Sequence, residues 1–336
     1  MTGEVGVYVH VPFCRKRCPY CAFVLIESDG SLHDRYVEKV CREIETRRPL
    51  ARTLYFGGGT PSMLGAAALG RIIRAVGGRP EEVTVECNPE GLRLEGLHEA
   101  GVTRITLGIQ ALDDGLLRTL GREHDAEGAR RAYGEARRHF DNICVDLIFG
   151  VPGQTLEGWT RTLEEVRSWR PAHVSLYGLT YEPGTPFEKI RDRQPEDRER
   201  EMYEQAMDLL SGYHHYEISN WSLPGLESKH NRAYWEGRPY AGFGPGAHSY
   251  RAPERWWNLS NVREYLDRDE VVAGRETLTP DQVRIERLLL GLRQDVGVEM
   301  ESIPSALGAF LERVDGRVRL TRAGKCVADT VIAKLI

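Results

Sequence analysis

The sequence predicts an α/β protein: a partial (β/α)6 barrel of the TIM type, followed by a small C-terminal α+β domain with a winged-helix-like pattern. Two observations predict this fold. Short runs rich in β-branched residues alternate with helical stretches six times before residue 180, as expected when helices join parallel strands. Polar or glycine-rich residues follow these runs at their carboxyl ends, where a barrel builds one shared active site.

The six predicted strands are short and apolar, which is typical of parallel strands buried on both faces. Right-handed crossovers place the intervening helices outside the sheet. Six units are fewer than the eight that close a complete barrel, and an open doubly wound sheet is the alternative architecture. The strands are VGVYVHV (5–11), RTLYF (52–56), EVTVEC (82–87), TRITLGI (103–109), NICVDLIF (142–149) and HVSLYGL (173–179).

Helices are predicted between the strands, and functional residue types stand at the strand ends. The predicted helices include HDRYVEKVCREIETR, LGAAALGRIIRAVG, LEGLHEAG, AEGARRAYGEARRHF and TLEGWTRTLEEVRSW. A barrel brings the carboxyl ends of all its strands to one face, so residues at these ends favour the barrel over the open sheet. They are Cys14, the glycine run 57–59 with Thr60, Glu86, Gln110 and Asp146.

The alternation of strands and helices stops near residue 213. The following stretch is dense in aromatic residues, Gly and His, and the remainder reads as helix, hairpin and final helix. We therefore predict a barrel domain over 1–212 and a separate C-terminal domain over 213–336.

The charge balance gives no global attraction to polyanions. The 336 residues contain 45 Lys+Arg and 50 Asp+Glu, for a formal net charge of −5, which predicts no nucleic-acid partner. The N-terminus lacks the pattern of a signal peptide, and no apolar run approaches the ~18 residues of a membrane span. We expect a soluble, cytoplasmic protein.

Three of the seven cysteines lie within the eight residues CRKRCPYC, from Cys14 to Cys21. A dithiol oxidoreductase needs only Cys18 and Cys21 and leaves Cys14 unexplained. Structural zinc needs a fourth ligand such as His10, and a closed zinc site gives the polar strand ends nothing to face. A [4Fe–4S] cluster held by the three cysteines leaves one iron open for another ligand. This pattern favours the cluster.

The spacing Cys14-x-x-x-Cys18-x-Tyr20-Cys21 after the first strand of a βα barrel resembles the radical S-adenosylmethionine (SAM) superfamily. The resemblance implies that SAM chelates the open iron through its amino and carboxylate groups. It also implies that one electron, from a donor such as a flavodoxin or ferredoxin, cleaves SAM to methionine and a 5′-deoxyadenosyl radical.

The same resemblance assigns SAM contacts near the cysteines. Gly58, Gly59 and Thr60 match the stretch that holds the SAM amino group, and glycines let a backbone approach a ligand closely. A tight turn without ligand is the structural alternative for this run. Tyr8 and Tyr20 would form aromatic walls of the site.

Four residues on later strands and loops match ribose- and methionine-contacting positions of the porphyrin-related branch of this superfamily. Glu86 and Asp146 suit the ribose hydroxyls, because ionised carboxylates only accept hydrogen bonds. Arg122 suits the SAM carboxylate, and Gln110 completes the set. Each of these residues could alternatively be a paired structural residue.

Several longer motifs resemble the group that contains oxygen-independent coproporphyrinogen III oxidase and the HemW-type heme chaperones. The similarity runs from Tyr8 to the final helix. The oxidase branch carries a fourth cysteine shortly after the third and often an N-terminal extension, whereas Ala22 and Phe23 follow Cys21 here and the first strand begins almost at the start of the chain. Both differences favour the chaperone branch. Two departures from the chaperone pattern are Ala22, where an acidic residue is usual, and a shortened region near ESIPSALGAF. The motifs are YVHVPFCRKRCPYCAF, YFGGGTPSML, ITLGIQALDD, DLIFGVPGQT, YEISNW, HNRAYW and GFGPGAHSY.

The stretch HNRAYW matches the HNxxYW pattern that is associated with heme binding in the chaperone branch. The match implies His230 as a heme ligand, since neutral imidazole is a common axial ligand, with Tyr234 and Trp235 packed on the porphyrin. A hydrogen-bonded structural histidine is the alternative. His248 and the pair His214 and His215 are rival ligands.

The resemblance thus implies a protein that binds a [4Fe–4S] cluster, SAM and heme or another tetrapyrrole. It would deliver heme to respiratory proteins and would contact a membrane peripherally through such a partner. Coproporphyrinogen III oxidase activity is the first alternative. A class C radical methyltransferase or cyclopropanase and a heme-binding module without catalysis are the others.

Overall fold

The six predicted strands are neighbours in one sheet of the computed structural model, which describes residues 4–336. Each pairs in parallel with the next in chain order, and the predicted α/β barrel-type fold is confirmed. The strands are β1 (Glu4–Val11), β4 (Leu50–Gly58), β5 (Glu82–Cys87), β6 (Arg104–Gln110), β7 (Ile143–Phe149) and β8 (His173–Gly178). Two short strands, β2 (Phe13–Cys14) and β3 (Ile26–Glu27), pair beside β1.

Helices join these strands where the sequence predicts them, with one exception. Residues 95–101 form consecutive turns, so the helix predicted for LEGLHEAG is wrong. Gly96 and Gly101 adopt φ values of 75° and 104° there, and a left-handed residue interrupts helical hydrogen bonding. The helices are α1 (His33–Arg47), α2 (Gly65–Ala75), α3 (Asp114–Thr119), α4 (Ala126–His139) and α5 (Leu156–Trp169).

The C-terminal third of the chain extends both edges of the same sheet. Within residues 4–336, twelve strands form one continuous sheet in the order β14-β13-β12-β11-β1-β4-β5-β6-β7-β8-β10-β9. Strand β11 pairs in parallel with β1, and the other added strands are antiparallel. The added strands are β9 (His214–Glu217), β10 (Asn220–Ser222), β11 (Tyr240–Phe243), β12 (His248–Arg251), β13 (Glu254–Asn258) and β14 (Val272–Thr277).

The predicted division after residue 212 stays a prediction, but the segment 213–277 shares both the sheet and the hydrophobic core of the preceding residues. Val262 and Tyr265 belong to the same buried cluster as Val7 of β1. A second, smaller cluster begins at Leu292 and includes Val318. The remaining α-helices and strands of residues 4–336 are α6 (Glu196–Leu209), α7 (Lys229–Trp235), α8 (Val262–Asp267), α9 (Pro280–Leu292), β15 (Leu311–Val314), β16 (Arg317–Leu320), α10 (Arg322–Cys326) and α11 (Ala328–Ala333).

Strand β1 shows how the sheet separates its apolar core from its functional face. Val5, Val7 and Val9 are buried in the main hydrophobic cluster, on the face covered by helices. Side chains of a strand alternate between its two faces, so Tyr8 and His10 point into the barrel, where their side chains are 3.0 Å apart (Tyr8 Oη to His10 Nδ1). The barrel interior therefore carries polar and aromatic groups.

Several helices begin at short polar side chains that cap them. Asp125 accepts a hydrogen bond from Gly128 N at the start of α4, and Thr155 does the same for Gly158 N at the start of α5. Such caps satisfy backbone N–H groups that the first helical turn leaves free. Among residues 4–336, no helix is both long and apolar enough to cross a membrane.

Candidate cofactor site

The three clustered cysteines lie just beyond β1: Cys14 ends β2, and Cys18 and Cys21 lie on the loop that follows it. Cys14 is buried, Cys18 and Cys21 are half-buried, and all three are free thiols. Burial raises the pKa of Cys14 to about 11, so metal binding has to displace a proton from this residue. Within the described part of the chain, no three His, Cys, Asp or Glu side chains converge on the position of a single metal ion.

Arg17 holds the cysteine loop in its shape. Its guanidinium donates to the carbonyl oxygens of Cys21 at 3.2 Å and Leu25 at 2.7 Å, and its backbone N–H donates to Glu27 Oε1 at 2.9 Å. A residue between the first and second cysteines in the sequence thus fixes the backbone at and beyond the third cysteine.

The glycine run 57–59 packs directly against the start of the cysteine loop. Gly59 N donates to Val11 O at 2.8 Å, and Thr60 N donates to Phe13 O at 2.7 Å. A Cβ on Gly59 would lie 2.5 Å from Phe13 O, and Gly58 has a φ of 113°, so larger residues do not fit. This close approach places Thr60 Oγ1 3.5 Å from Cys14 Sγ.

Arg122 approaches the same loop from the other side. Its Nη1 donates to Cys18 Sγ at 3.5 Å, and its Nη2 donates to Asn88 Oδ1 at 2.8 Å and to Gly108 O at 3.1 Å. Glu90 Oε1 lies 3.3 Å from Nη2. The Nε atom is buried and has no partner, so the guanidinium retains a free donor in the site.

Gln110 provides a matching free acceptor at the end of β6. Its Oε1 is buried without a hydrogen-bond partner, and its φ of 68° is positive. A non-glycine residue in this region is strained, and such strain is concentrated at functional sites. An unpaired donor on Arg122 and an unpaired acceptor on Gln110 fit a polar ligand that carries both a carboxylate and an amino group.

Two carboxylates face the same space from β5 and β7. Burial raises the pKa of Glu86 to about 7, against the lowering effect of hydrogen bonds from Tyr55 at 2.8 Å and Gly58 N at 3.1 Å. Burial also raises the pKa of Asp146 to about 6. Both groups would be stabilised as carboxylates by a ligand that donates hydrogen bonds or carries positive charge.

These residues surround one cavity of about 650 Å³ at the carboxyl ends of the strands. Thirteen residues are predicted for the site, and the structure brings most of them together here. Those that line the cavity are Cys14, Cys18, Tyr20, Cys21, Gly58, Gly59, Thr60, Glu86, Gln110, Arg122 and Asp146. The other two, Tyr8 and His230, do not line it.

Tyr8 lies one layer deeper in the barrel. His10 Nε2 contacts Val24 O at 2.6 Å and must donate there, so His10 Nδ1 accepts from the Tyr8 hydroxyl at 3.0 Å. A Cβ on Gly57 would lie 2.9 Å from the Tyr8 ring. Tyr8 therefore packs against the glycine run from deeper inside the barrel.

His230 lies at the opposite, amino-terminal end of the barrel and is 1% exposed. Its Nδ1 is 2.9 Å from Thr53 Oγ1, and its Nε2 is 2.9 Å from Tyr234 Oη. Burial lowers the pKa of His230 to about 3, so the ring is neutral. Both ring nitrogens are engaged in this conformation.

Helix α7, which carries the HNRAYW motif, is held to the barrel by one buried carboxylate. Glu82 of β5 accepts hydrogen bonds from the backbone N–H groups of Lys229 and His230, each at 3.0 Å. Ser228 caps the helix by accepting from Asn231 N. The motif helix thus closes the end of the barrel that lies away from the cysteines.

The rival histidines lie elsewhere. His248 is exposed and stacks on Trp257, with centroids 5.8 Å apart. His214 Nδ1 lies 2.8 Å from Glu227 Oε1, and His214 Nε2 lies 2.6 Å from Asp295 Oδ2. The neighbouring His215 is stacked on a tryptophan of β10. None of the three lines the cavity of the cysteine loop.

Three residues of the site were missed in the sequence: Asn88, Glu90 and His124. Asn88 bonds both Thr60 and Arg122, and His124 donates to Glu90 Oε2 at 2.9 Å. Spacing could have identified Asn88, because it follows Glu86 by two residues at the end of β5. Side chains two apart point to the same side of an extended chain.

Known proteins are similar to this chain in sequence and in fold. The chain matches the radical SAM superfamily over residues 8–166. It is 37% identical to the heme chaperone HemW of Lactococcus lactis subsp. lactis, in a match that covers 93% of this chain and 87% of that protein. The chain belongs to the HemW family of radical SAM proteins. The membership in the heme chaperone branch that the sequence motifs predict is therefore confirmed.

The HemW family assignment agrees with two further relatives. The heme chaperone HemW of Bacillus subtilis is 34% identical over 91% of this chain and 88% of its own length. The solved structure of coproporphyrinogen III oxidase (HemN) from Escherichia coli superposes with a TM-score of 0.84, covering 98% of this chain and 89% of that one. At 21% identity, the oxidase shows that the fold is shared.

Proposed function

We propose that this chain is a heme chaperone that holds a [4Fe–4S] cluster and SAM, binds heme and delivers it to a protein acceptor. The observation that carries this proposal is the similarity to three proteins named heme chaperone HemW, which are 34% to 37% identical over at least 89% of the chain.

Cys14, Cys18 and Cys21 are the proposed cluster ligands. When bound, the cluster supplies a one-electron reductant and one iron without a protein ligand. Thiolates of a cluster carry negative charge, and Arg122 already donates toward Cys18. Its guanidinium would offset this charge and orient a ligand carboxylate through its free Nε.

Glu86, Asp146 and Gln110 are proposed to hold the nucleoside and amino-acid parts of SAM. In the ligand-free chain at pH 6, Glu86, with a pKa of about 7, is mainly protonated. A ligand with hydroxyl donors and a sulfonium charge favours the ionised forms of Glu86 and Asp146. These two carboxyl groups would therefore release protons as SAM binds.

His230 is the proposed heme ligand, and its surroundings set a condition on that role. The imidazole is neutral, as a ligand nitrogen must be, but Thr53 and Tyr234 occupy its two nitrogens. Iron ligation therefore requires the ring to leave one of these partners. Helix α7 has to move or the histidine has to change rotamer before heme is bound.

The acceptor and the electron donor belong to the same proposal. Delivery to a respiratory heme protein fits the function, and a flavodoxin or ferredoxin is the proposed reductant of the cluster. We also propose that the protein works in the cytoplasm and contacts a membrane only through its acceptor.

Heme transfer and porphyrinogen oxidation are separated by one pair of assays. Anaerobically reconstituted protein, loaded with heme, is mixed with an apo-cytochrome, and the acceptor's absorption spectrum is followed. The same preparation is incubated with coproporphyrinogen III, SAM and a reductant. We expect heme transfer and no protoporphyrinogen. Stoichiometric protoporphyrinogen, or a wild-type chain that binds no heme, would overturn the proposal.

A further inference from the structure

The side chain of Asn88 lies between the two residues that contact the sulfur atoms of cluster cysteines. Its Nδ2 is 3.0 Å from Thr60 Oγ1, and its Oδ1 is 2.8 Å from Arg122 Nη2. Thr60 Oγ1 is in turn 3.5 Å from Cys14 Sγ, and Arg122 Nη1 is 3.5 Å from Cys18 Sγ. One amide therefore joins the contacts to two of the three cysteines.

The hydrogen-bond chemistry fixes the direction of each of these contacts. A guanidinium can only donate, so the oxygen of Asn88 faces Arg122 and its NH₂ group faces Thr60. The oxygen of Thr60 accepts from that NH₂ group, which leaves the Thr60 hydroxyl proton free to point at Cys14 Sγ. Each end of the Asn88 amide therefore holds one donor that points at sulfur, the Thr60 hydroxyl at one end and Arg122 Nη1 at the other.

The surrounding backbone leaves room for the Asn88 side chain between Thr60 and Arg122. A Cβ on Gly108 would lie 2.9 Å from Asn88 Oδ1, so the absence of a side chain at Gly108 permits the amide to reach Arg122. The guanidinium has a second support in Glu90, at 3.3 Å. The Thr60 hydroxyl, in contrast, has no side-chain hydrogen-bond partner among residues 4–336 other than Asn88 and Cys14.

We propose that Asn88 is a positioning residue that orients Thr60 and Arg122 toward the cluster sulfurs and thereby sets the reduction potential of the cluster and its affinity for SAM. Hydrogen bonds to the sulfurs of a cluster raise its reduction potential. The orientation of Arg122 also decides where its free Nε points. This inference rests on the proposed function for the presence of the cluster and SAM.

Two variants of Asn88 distinguish its contact with Thr60 from its contact with Arg122. Asn88→Asp keeps an acceptor for Arg122, loses the donor to Thr60 and adds a negative charge. Asn88→Leu loses both contacts at similar side-chain size. Thr60→Val removes only the hydroxyl that contacts Asn88 and Cys14. Asn142→Leu is the matched control, because Asn142 precedes β7 at the opposite end of the barrel and does not line the cavity.

The measurements are the midpoint potential of the anaerobically reconstituted cluster, by redox titration with electron paramagnetic resonance, and the SAM dissociation constant. Iron content and thermal unfolding are recorded for each variant. In Asn88→Leu we expect the cluster to be about tenfold harder to reduce, equivalent to about 59 mV for one electron, and SAM binding to weaken about tenfold. In Asn88→Asp the potential falls, while SAM affinity changes less than in Asn88→Leu.

Coupling between Asn88 and Thr60 is the second readout. If Asn88 acts through Thr60, the cluster of the double variant Asn88→Asp, Thr60→Val has a midpoint potential no lower than that of Asn88→Asp alone. A double variant whose potential falls by the sum of the two single-variant shifts would overturn the proposal. Wild-type potential and SAM affinity in both Asn88 variants would also overturn it. Wild-type protein with a normal cluster but no heme transfer would refute the proposed function and leave this inference standing.

Discussion

The ring of His230 stacks on the ring of Tyr55, with centroids 5.1 Å apart and an angle of 25° between the planes. The Tyr55 hydroxyl donates to Glu86 Oε1 at 2.8 Å, and Glu86 lines the cofactor cavity. The proposed heme ligand and the proposed SAM site therefore contact the same tyrosine from opposite ends of the barrel.

Freeing a ring nitrogen of His230 should strengthen heme binding. Tyr234→Phe removes the partner of Nε2, and Thr53→Val removes the partner of Nδ1. Because ligation then breaks one hydrogen bond fewer, worth about 1 kcal/mol, we expect heme affinity to rise about fivefold in either variant. His230→Ala should lose the ligand's contribution to the heme absorption spectrum. Unchanged heme spectra and affinities in all three variants would exclude His230 as the ligand.

SAM binding should strengthen as pH rises from 6 to 8. Glu86 has a pKa of about 7 and Asp146 of about 6. An ionised carboxylate accepts hydrogen bonds from ligand hydroxyls at both oxygens and attracts the sulfonium charge, whereas a protonated carboxyl group is neutral and turns one oxygen into a donor. Ionisation of Glu86 alone predicts an increase of about tenfold over this range. Equilibrium binding at pH 6, 7 and 8 measures it, and Glu86→Gln should reduce the slope to the part that Asp146 contributes. An identical slope in this variant would contradict the assignment.

Tyr55→Phe should move this pH dependence to higher pH. The Tyr55 hydrogen bond lowers the pKa of Glu86 against the larger effect of burial, so removing the hydroxyl raises that pKa further. The phenylalanine ring keeps the stacking on His230. We expect weaker SAM binding at pH 7 that recovers above pH 8, and a midpoint that does not move would show that the hydroxyl has no influence on Glu86.

Gly59→Ala should displace the cysteine loop. The new Cβ would lie 2.5 Å from Phe13 O, so the backbone hydrogen bonds to Val11 and Phe13 cannot both persist. We expect a loss of about 1 to 3 kcal/mol in the free energy of unfolding and a lower iron content after reconstitution. Gly134→Ala on α4 is the control, because its Cβ would meet nothing within 4 Å, and it should stabilise the helix slightly. Normal iron uptake by Gly59→Ala would show that the loop tolerates the shift.

His214 should make stability depend on pH. Burial lowers its pKa, but hydrogen bonds to Asp295 and Glu227 raise it above the ordinary value overall. A raised pKa contributes stability below the unfolded value of about 6.5, and this contribution is lost as pH rises through the folded pKa. Since the side chain is 39% exposed, His214→Gln should cost at most about 1 kcal/mol at pH 6, and less at pH 9. Urea unfolding at both pH values tests this, and an equal loss at both would refute the ionic contribution.

The sequence predicted the parallel strands, and it grouped residues that line one cavity, for the same physical reason. Strand ends of a barrel meet on one face, so Cys14, Glu86 and Asp146 could be grouped from local patterns although 132 positions separate the first from the last. The apolar runs are local signals, and so are the cysteine spacing and the glycine run. The network around Asn88 was missed because its partners come from three separate loops.

The role of the C-terminal third could not be read in the same way. Strand β11 is four residues long, and its pairing with β1 joins segments more than 200 positions apart. No local pattern specifies such a partner. The histidine motif gave a correct family match, but the contacts of His230 with Thr53 and Tyr55 depend on tertiary structure that the motif does not contain.

The parallel pairing of β1 with β11 also constrains how the chain can assemble during synthesis. One edge of β1 has no partner until Tyr240–Phe243 has left the ribosome, so the strand that leads into the cysteine loop stays open to wrong partners for most of translation. An unpaired apolar edge invites association with other chains, and long-range pairing slows folding. Insertion of iron and sulfur into the nascent barrel would therefore compete with aggregation, and growth at lower temperature should favour recovery of the metal-loaded form.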